Sequence, residues 1–487
     1  MTSIETTMDS TPYPIPHRFK SLDQMRILLQ HILQSNIASI YEYLSMRISG
    51  LKCVLIFITC FLYVPAAAYA QEDIPGRSQQ AITKKSSQNN KTKTGLFFTD
   101  SGSGYRWNKG RNEIRLGGFI QADSRTFFED MSETGNDYFT FRRIRPVLEV
   151  RFGKIHSFYF MPNLESSLGI LDAFFESNYI KPFNLRVGKF KSPFGLERLQ
   201  SATALALNER AFPTNLAPNR EIGAQVFGDI LWDTTEYQIG IFHGNVDNGS
   251  GIGDSVINSN SSGIDFVARI FSHPLKHIHT EFLRGLGFGV AYSYGTQYGS
   301  TQPGNANLPT FISPGQQIIA SYAQGAFADG SRERIGPQLY YHSGPLGIMG
   351  EYTISHQNIK IGTASDKVTN DAFQIQLSWV LFNGDASFRR VQPHNPITFE
   401  NISALGAVQL VTRYSELNLD TKAFAHGLFN LDRSVNKAQD FGVGINWYLN
   451  RNVKFQLSYN QTHFNGAIGR IDQPTEKILF SRMQLAF

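Results

Sequence analysis

The last eleven residues of the chain, Lys477 to Phe487, predict a β-strand with one apolar face. Apolar and polar side chains alternate up to the final position, and those on the apolar side are Leu479, Met483, Leu485 and Phe487. Alternate residues of a strand point to opposite faces, and chain ends fray unless something holds them. A transmembrane β-barrel holds its last strand against its first, because no unpaired edge can remain in lipid. The pattern therefore predicts a bacterial outer-membrane β-barrel.

An export signal precedes this domain. The basic residues Arg47 and Lys52 come before an apolar run over residues 54–64, which the small-residue pattern Ala68-Tyr-Ala70 separates from Gln71. This order is that of a secretory signal peptide with its cleavage site. The apolar run is too short to cross a bilayer as a helix.

We interpret residues 46–70 as the signal peptide and residues 1–45 as an upstream extension from a mis-assigned start codon, with Met46 as the initiator. The alternative is that the apolar periodicity of residues 17–45 forms a genuine cytoplasmic helix. Residues 71–111 are rich in Ser, Gln, Asn, Thr and Lys. This composition predicts a flexible periplasmic linker.

Composition supports an exported membrane protein without covalent staples. Both cysteines, Cys53 and Cys60, lie in the predicted signal peptide, so the exported chain has no thiol chemistry. The chain is 41% hydrophobic, yet its mean hydropathy is -0.23. A membrane protein of this kind must alternate apolar with polar residues, because it has no long apolar run. The net charge of +5 is small for 487 residues and suggests no nucleic-acid partner.

From residue 112 onward the sequence shows sixteen alternating segments of about ten residues separated by turns. Short connections, expected to be periplasmic, largely alternate with long external ones. The long ones are residues 191–220, 243–263, 295–333, 355–370, 417–438 and 460–475. Two long connections, 272–285 and 382–405, are periplasmic by count. We therefore predict an all-β protein, a 16-stranded antiparallel transmembrane β-barrel over residues 112–487. The alternative is a large soluble β-sandwich, whose strands also alternate.

Strand parity predicts which charged side chains face the lumen. In the second segment the apolar residues have even numbers, so Arg143, Arg145 and Arg151 point inward with Glu149. The same parity turns inward Arg115, Arg125, Arg186, Arg269, Arg334, Arg413, Lys454 and Arg482. A charge on the lipid face costs about 2–4 kcal/mol at the bilayer midplane. The alternative is that these cations only pair with lumenal acids, as in a general porin.

The connection over residues 191–220 is predicted to fold inward as the constriction. The basic residues from position 189 to 220 are Lys189, Lys191, Arg198, Arg210 and Arg220, against two acids, Glu197 and Glu209. An apolar stretch lies between them, which suits a loop that packs on the barrel wall. Basic rings select anions in pores, and arginine binds phosphate through two parallel hydrogen bonds.

Three motifs resemble the phosphate-selective porin O and P family: FRRIRP at Phe141–Pro146, LRVGKFKSPFGLE at Leu185–Glu197 and FNGDASFRRVQP at Phe382–Pro393. The resemblance covers about residues 112–487. It implies a trimeric sixteen-stranded barrel with three inward-folded loops and with arginine and lysine ladders that lead to a central anion site. It also implies outer-membrane lipid, the barrel-assembly machinery and inorganic phosphate or other small anions as partners, with no cofactor.

By motif position, Arg142 and Arg143 match the family's arginine pair and Asp172 matches its aspartate. Lys189, Lys191 and Arg198 correspond to the loop lysines of the family. The sequence departs from the pattern, since few lysines follow Lys191 and Arg198 stands where a lysine is usual. Anion preference is therefore better supported than a preference for phosphate or polyphosphate.

Other functions lack a sequence signal. We find no nucleophile elbow, zinc-protease motif or P-loop, and His277 and His279 have no nearby third metal ligand. We therefore predict neither a catalytic nor a metal site. A general porin without phosphate selectivity, an outer-membrane enzyme and an adhesin that uses the long loops remain alternatives.

Overall fold

A computed structural model describes residues 94–99, 101–128, 137–165, 168–248, 263–302, 304–466 and 474–487. All of these belong to one unit, residues 67–487. The predicted upstream extension and signal peptide, residues 1–70, lie outside the described residues.

The described residues form twenty strands in chain order. They are β1 Gly95–Thr99, β2 Gly102–Trp107, β3 Asn112–Phe128, β4 Tyr138–Phe152, β5 His156–Asn163, β6 Gly169–Ile180, β7 Phe183–Lys191, β8 Arg220–Ile230, β9 Thr235–His243, β10 Ile264–Ser272, β11 Leu286–Tyr298, β12 Phe311–Ile312, β13 Ile318–Ala320, β14 Ala326–Ser343, β15 Leu346–Ile361, β16 Ala364–Phe382, β17 Ala407–Asn418, β18 Val435–Tyr448, β19 Val453–Gly466 and β20 Glu476–Ala486. Sixteen of them, β3–β11 and β14–β20, pair antiparallel with their neighbours, and β20 pairs with β3 to close the ring. The predicted sixteen-stranded barrel is confirmed.

The seam between β20 and β3 uses the backbone of the last residue. Phe487 N donates to Gly118 O (2.9 Å), and Gly118 N donates to Phe487 O (2.7 Å). The side chain of Phe487 is half exposed on the outer face, whereas Arg482 and Gln484 are buried inside. The predicted parity of the terminal strand is therefore confirmed.

The outer face of the barrel carries a band of exposed apolar side chains. Leu410, Ile445 and Leu457 lie side by side across β17, β18 and β19, and each is more than a third exposed. Such a continuous apolar surface is suited to lipid rather than water. The cations assigned to the lumen by parity are buried on the other face, among them Arg115, Arg125, Arg269, Arg334, Arg413, Lys454 and Arg482.

Part of the predicted periplasmic linker is ordered sheet. Strands β1 and β2 form a hairpin, and β2 pairs with residues 112–116 of β3. The C-terminal strand and Phe487 pair with β3 only from Gly118 onward, so the first residues of β3 would otherwise present an unpaired edge. The hairpin satisfies these backbone groups.

The prediction of a long external loop over residues 355–370 is wrong. Strands β15 and β16 stay paired up to Ile361 and Ala364, and Gly362 turns the chain at a φ of +57°. The sequence shows no alternation of apolar and polar residues here, because above the membrane a strand needs no apolar outer face. Polar residues such as His356 therefore continue the strand, here with a hydrogen bond to Thr369 (2.8 Å).

Three connections fold into the barrel, as the family resemblance implies. Residues 192–219 include the short helix Leu196–Leu199 and the 3-10 helix Phe212–Leu216, and residues 299–325 include β12 and β13. Residues 383–406 enter from the end of the short turns, where Ala386 N donates to Gly344 O (2.8 Å). The remaining helices, Glu281–Arg284 and Thr421–Ala425, are short. In the described part of the chain no helix has the length and apolar character needed to span a membrane.

Candidate functional site

The constriction loop, residues 192–219, is held against one side of the barrel interior by hydrogen bonds from the wall to its backbone. These bonds include Gln121 Nε2 to Ala202 O (3.1 Å), Asn446 Nδ2 to Ala206 O (2.8 Å), Lys454 Nζ to Leu205 O (3.1 Å) and Arg482 Nη1 to Asn208 O (2.7 Å). The donors lie on β3, β18, β19 and β20. The open part of the lumen is therefore displaced toward β4–β10.

A cavity of about 660 Å³ occupies this open part. Among the described residues that line it, thirteen are basic and three acidic. The basic ones are Arg115, Arg142, Arg143, Arg145, Arg186, Lys191, Arg198, Arg210, Arg220, Arg269, Arg389, Arg390 and Arg451, and the acidic ones are Glu149, Glu165 and Asp172. Because the low-dielectric walls focus the field of these charges, the cavity favours anions.

The arginine pair faces the lumen because of a β-bulge. Gln121 is opposite Arg143 and Ala122 is opposite Phe141, which leaves Arg142 as the extra residue of the bulge. Strict alternation would have turned Arg142 toward lipid. Both arginines line the cavity, so the pair inferred from the family resemblance does come together.

Asp172 lies on the same cavity and is held by Arg220. The Arg220 guanidinium donates to both carboxylate oxygens, at 2.9 and 3.1 Å. Arg145 donates to the neutral amide oxygen of Asn163 (3.2 Å). Among the described residues Arg145 has no carboxylate partner in an ion pair, so its positive charge is not balanced by a direct partner.

Lys191 at the end of β7 and two arginines of the constriction loop brace the backbone of that loop. Lys191 Nζ donates to Gln200 O (2.9 Å) and Arg210 Nη2 donates to the same carbonyl (2.8 Å). Arg198 Nη2 donates to Thr214 O in the loop (2.5 Å) and to the side chain of Asn248 (Oδ1, 2.6 Å). Burial and the nearby guanidinium of Arg210 lower the pKa of Arg198 to about 9, which still leaves it charged at neutral pH. These residues therefore shape the loop and add positive charge at the same time.

Two predicted site residues, Arg151 and Lys189, are not among the described residues that line the cavity. Arg151 pairs with Glu149 (2.7 Å) near the end of β4. Lys189 is opposite Ala173 and Ile222 in the sheet, while its neighbour Phe190 fills the inside. Lys189 is therefore not among the described residues that line the cavity, because alternation along β7 places Arg186 and Phe190 inward.

Arg389, Arg390 and Arg451 line the cavity although the sequence analysis did not assign them to the site. They lie on connections, where strand parity gives no direction. The inward segment that carries the first two contacts the constriction loop, since Gln200 Nε2 donates to Phe388 O (2.6 Å). Only the motif Phe382–Pro393 could have indicated Arg389 and Arg390, and no motif indicates Arg451.

A closed sixteen-stranded barrel with an apolar outer band and inward loops defines an outer-membrane porin. Residues 114–487 match the phosphate-selective porin O and P family, and the chain belongs to it. It is similar to Porin O of Pseudomonas aeruginosa, with 24% identity over 381 residues that cover 71% of this chain and 82% of the relative. The fold is similar to the outer membrane channel DcaP of Acinetobacter baumannii, with a TM-score of 0.51 and 12% identity over 79% of this chain and 99% of that one. The protein is thus a channel of the bacterial outer membrane.

Proposed function

We propose that this porin is an anion-selective diffusion channel that passes phosphate or other small anions. The observation that carries the proposal is the excess of basic over acidic residues in the cavity lining, thirteen against three. A positive potential along a narrow pore concentrates anions and repels cations. The family description adds phosphate as the anion to test first.

Some hydrogen-bond donors of the cavity are not bound to carboxylates and can therefore bind an entering anion. Arg145, Lys191 and Arg210 donate these hydrogen bonds to neutral oxygens rather than to carboxylates. An anion that reaches them exchanges water for charge-assisted hydrogen bonds, which are about twice as strong as neutral ones. Throughput requires that no single site hold the anion too tightly.

The alternative, a general porin with internally paired charges, also has support in the structure. Arg220 pairs with Asp172 and Arg186 pairs with Glu176 (2.6 Å). These pairs lower the net charge that a permeating ion meets. The two functions differ in the sign and size of ion selectivity.

Purified protein in planar bilayers is expected to show an anion-preferring reversal potential in a potassium chloride gradient. Inorganic phosphate added to the chloride solution is expected to reduce the chloride current, because it competes for the same guanidinium donors. Sulfate serves as the matched control, since it is a tetrahedral anion without a proton at neutral pH. A cation-preferring channel would contradict anion selectivity, and equal inhibition by sulfate would contradict phosphate selectivity.

Asp172→Asn is expected to raise chloride conductance and to reduce discrimination between phosphate and chloride. The substitution frees the charge of Arg220, which Asp172 now binds through both oxygens. It also removes a carboxylate that can accept a hydrogen bond from the hydroxyl group of hydrogen phosphate, a donor that chloride lacks. Current ratios in the two anions measure the effect. A conductance equal to that of the wild type would show that the pair lies off the permeation path.

We further propose that the channel assembles as a homotrimer through the barrel-assembly machinery, and that it carries out no catalytic reaction and needs no cofactor. The family resemblance supports the trimer, and cross-linking in outer-membrane fractions measures it. Bands of one, two and three subunits that persist on heating, with no larger species, are the expected result.

The exported protein is expected to begin at Gln71, because a complete signal pattern ends at Ala70. N-terminal sequencing of the outer-membrane protein checks this prediction. Recovery of a peptide from residues 1–45 in that fraction would contradict it, and would favour the cytoplasmic-helix alternative for that region.

A further inference from the structure

Glu209, a residue of the constriction loop, lies at the centre of four arginines. Its carboxylate oxygens are 2.6 Å from Arg142, 3.3 Å from Arg482, 3.4 Å from Arg125 and 3.6 Å from Arg143. The four arginines come from three neighbouring strands, β3, β4 and β20. The bulge in β4 brings two of them to the same carboxylate.

The contacts are distributed as they would be around a bound oxyanion. Oε1 faces Arg142, Arg482 and Arg125, and Oε2 faces Arg142 at 3.1 Å and Arg143. Burial alone would raise the pKa of Glu209, but the guanidiniums of Arg142 and Arg143 outweigh it and hold that pKa well below its usual value. Glu209 therefore stays ionised and acts as the anion of this site.

The charges around Glu209 do not cancel. Asp123 is the other carboxylate of the group, bound by Arg482 at 2.6 and 2.7 Å and 3.8 Å from Arg125. Four guanidiniums thus share two carboxylates. Without the charge of Glu209, four guanidiniums would face the single carboxylate of Asp123, and Arg142 and Arg143 would lose their carboxylate partner. This uncompensated positive charge is a strong reason for an external anion to enter.

An anion in the cavity can reach this group from one side. Arg142 and Arg143 line the cavity, and the side chain of Arg142 is 26% exposed. Glu209 itself is 4% exposed. The loop carboxylate thus fills the inner part of a site whose outer part faces permeating ions.

We propose that the four arginines form an oxyanion-binding site and that Glu209 occupies it as a tethered competitor, which keeps permeating phosphate from binding tightly. The inference rests on the proposed anion selectivity and adds the residue that sets its strength. A fixed carboxylate near the pore lets an incoming anion share the guanidiniums for a short time only. This matches the need of a channel to release what it binds.

Glu209→Gln tests the proposal, because glutamine keeps the size and one acceptor oxygen but removes the charge. In this variant, inorganic phosphate is expected to reduce the chloride current by half at about a tenfold lower concentration than in the wild type. The free energy of this change is comparable to that of one hydrogen bond to a charged group, because the competing carboxylate is gone. Glu351→Gln is the matched control. Glu351 also holds the constriction loop, by accepting Leu196 N (2.6 Å) and Glu197 N (3.2 Å), but has no arginine partner among its hydrogen bonds. It is expected to leave phosphate inhibition unchanged.

The outcomes distinguish a Glu209 that competes with phosphate from a Glu209 that only holds the constriction loop in place. If Glu209→Gln raises conductance and weakens phosphate inhibition, the carboxylate only holds the loop and the proposal is overturned. Unchanged inhibition in an anion-selective wild type also overturns it, while the proposed function stands. A cation-selective wild type would overturn both. If Glu209→Gln does not assemble, Glu209→Asp supplies the test, since its shorter side chain should give a smaller gain in the same direction and no gain would overturn the proposal.

Discussion

Deletion of Phe487 is expected to lower the amount of folded barrel in the outer membrane about tenfold, because the final strand must close the ring before lipid surrounds it. The deletion removes both backbone hydrogen bonds between Phe487 and Gly118 at the seam. It also removes an aromatic ring that is half exposed on the outer face. Heat-modifiable mobility in gels of outer-membrane fractions measures the folded amount. The conductance of channels that do form is expected to stay unchanged.

Phe487→Tyr is the control for this deletion. It keeps the two backbone bonds and an aromatic ring, so folded protein should remain near the wild-type level. A deleted chain that reaches the membrane at normal levels with normal mobility would mean that the seam does not depend on its last residue.

Arg145→Gln is expected to lower the anion-to-cation permeability ratio by about a factor of three, and more than Arg143→Gln does. Both residues lie on β4 and line the cavity. Arg143 has the carboxylate of Glu209 nearby at 3.6 Å, whereas the hydrogen bond of Arg145 goes to the neutral amide of Asn163. The charge that a permeating ion senses is therefore larger at Arg145.

Reversal potentials of the two variants in the same salt gradient check this order. Glutamine preserves a hydrogen-bond donor in each case, which limits differences in folding. A larger loss of selectivity in Arg143→Gln would show that Glu209 does not balance the arginine pair. Unchanged selectivity in both variants would favour a general porin.

Alternation alone identified much of the barrel wall. The sequence places Arg482 inside and Phe487 outside, and the structure agrees, because a strand in lipid cannot turn a charge outward without a large cost. Outside the lipid a charge on the outer face carries no such cost, so alternation no longer identifies the strands there. Residues 355–370 stand above the apolar band as a polar hairpin, so the pattern of a transmembrane strand is missing there although the backbone pairing continues.

The sequence by itself determined the barrel, its strand order and the inward parity of residues such as Arg145, because side-chain direction in a strand is a local property. Only the tertiary structure decided the rest of the site. The bulge that turns Arg142 inward depends on its pairing with β3, and the meeting of Glu209 with Arg142 spans 67 residues of chain. The inward course of Arg389 and Arg390 depends on contacts between two connections. Such contacts leave no periodic trace in the sequence, since they join positions that only the closed barrel brings together.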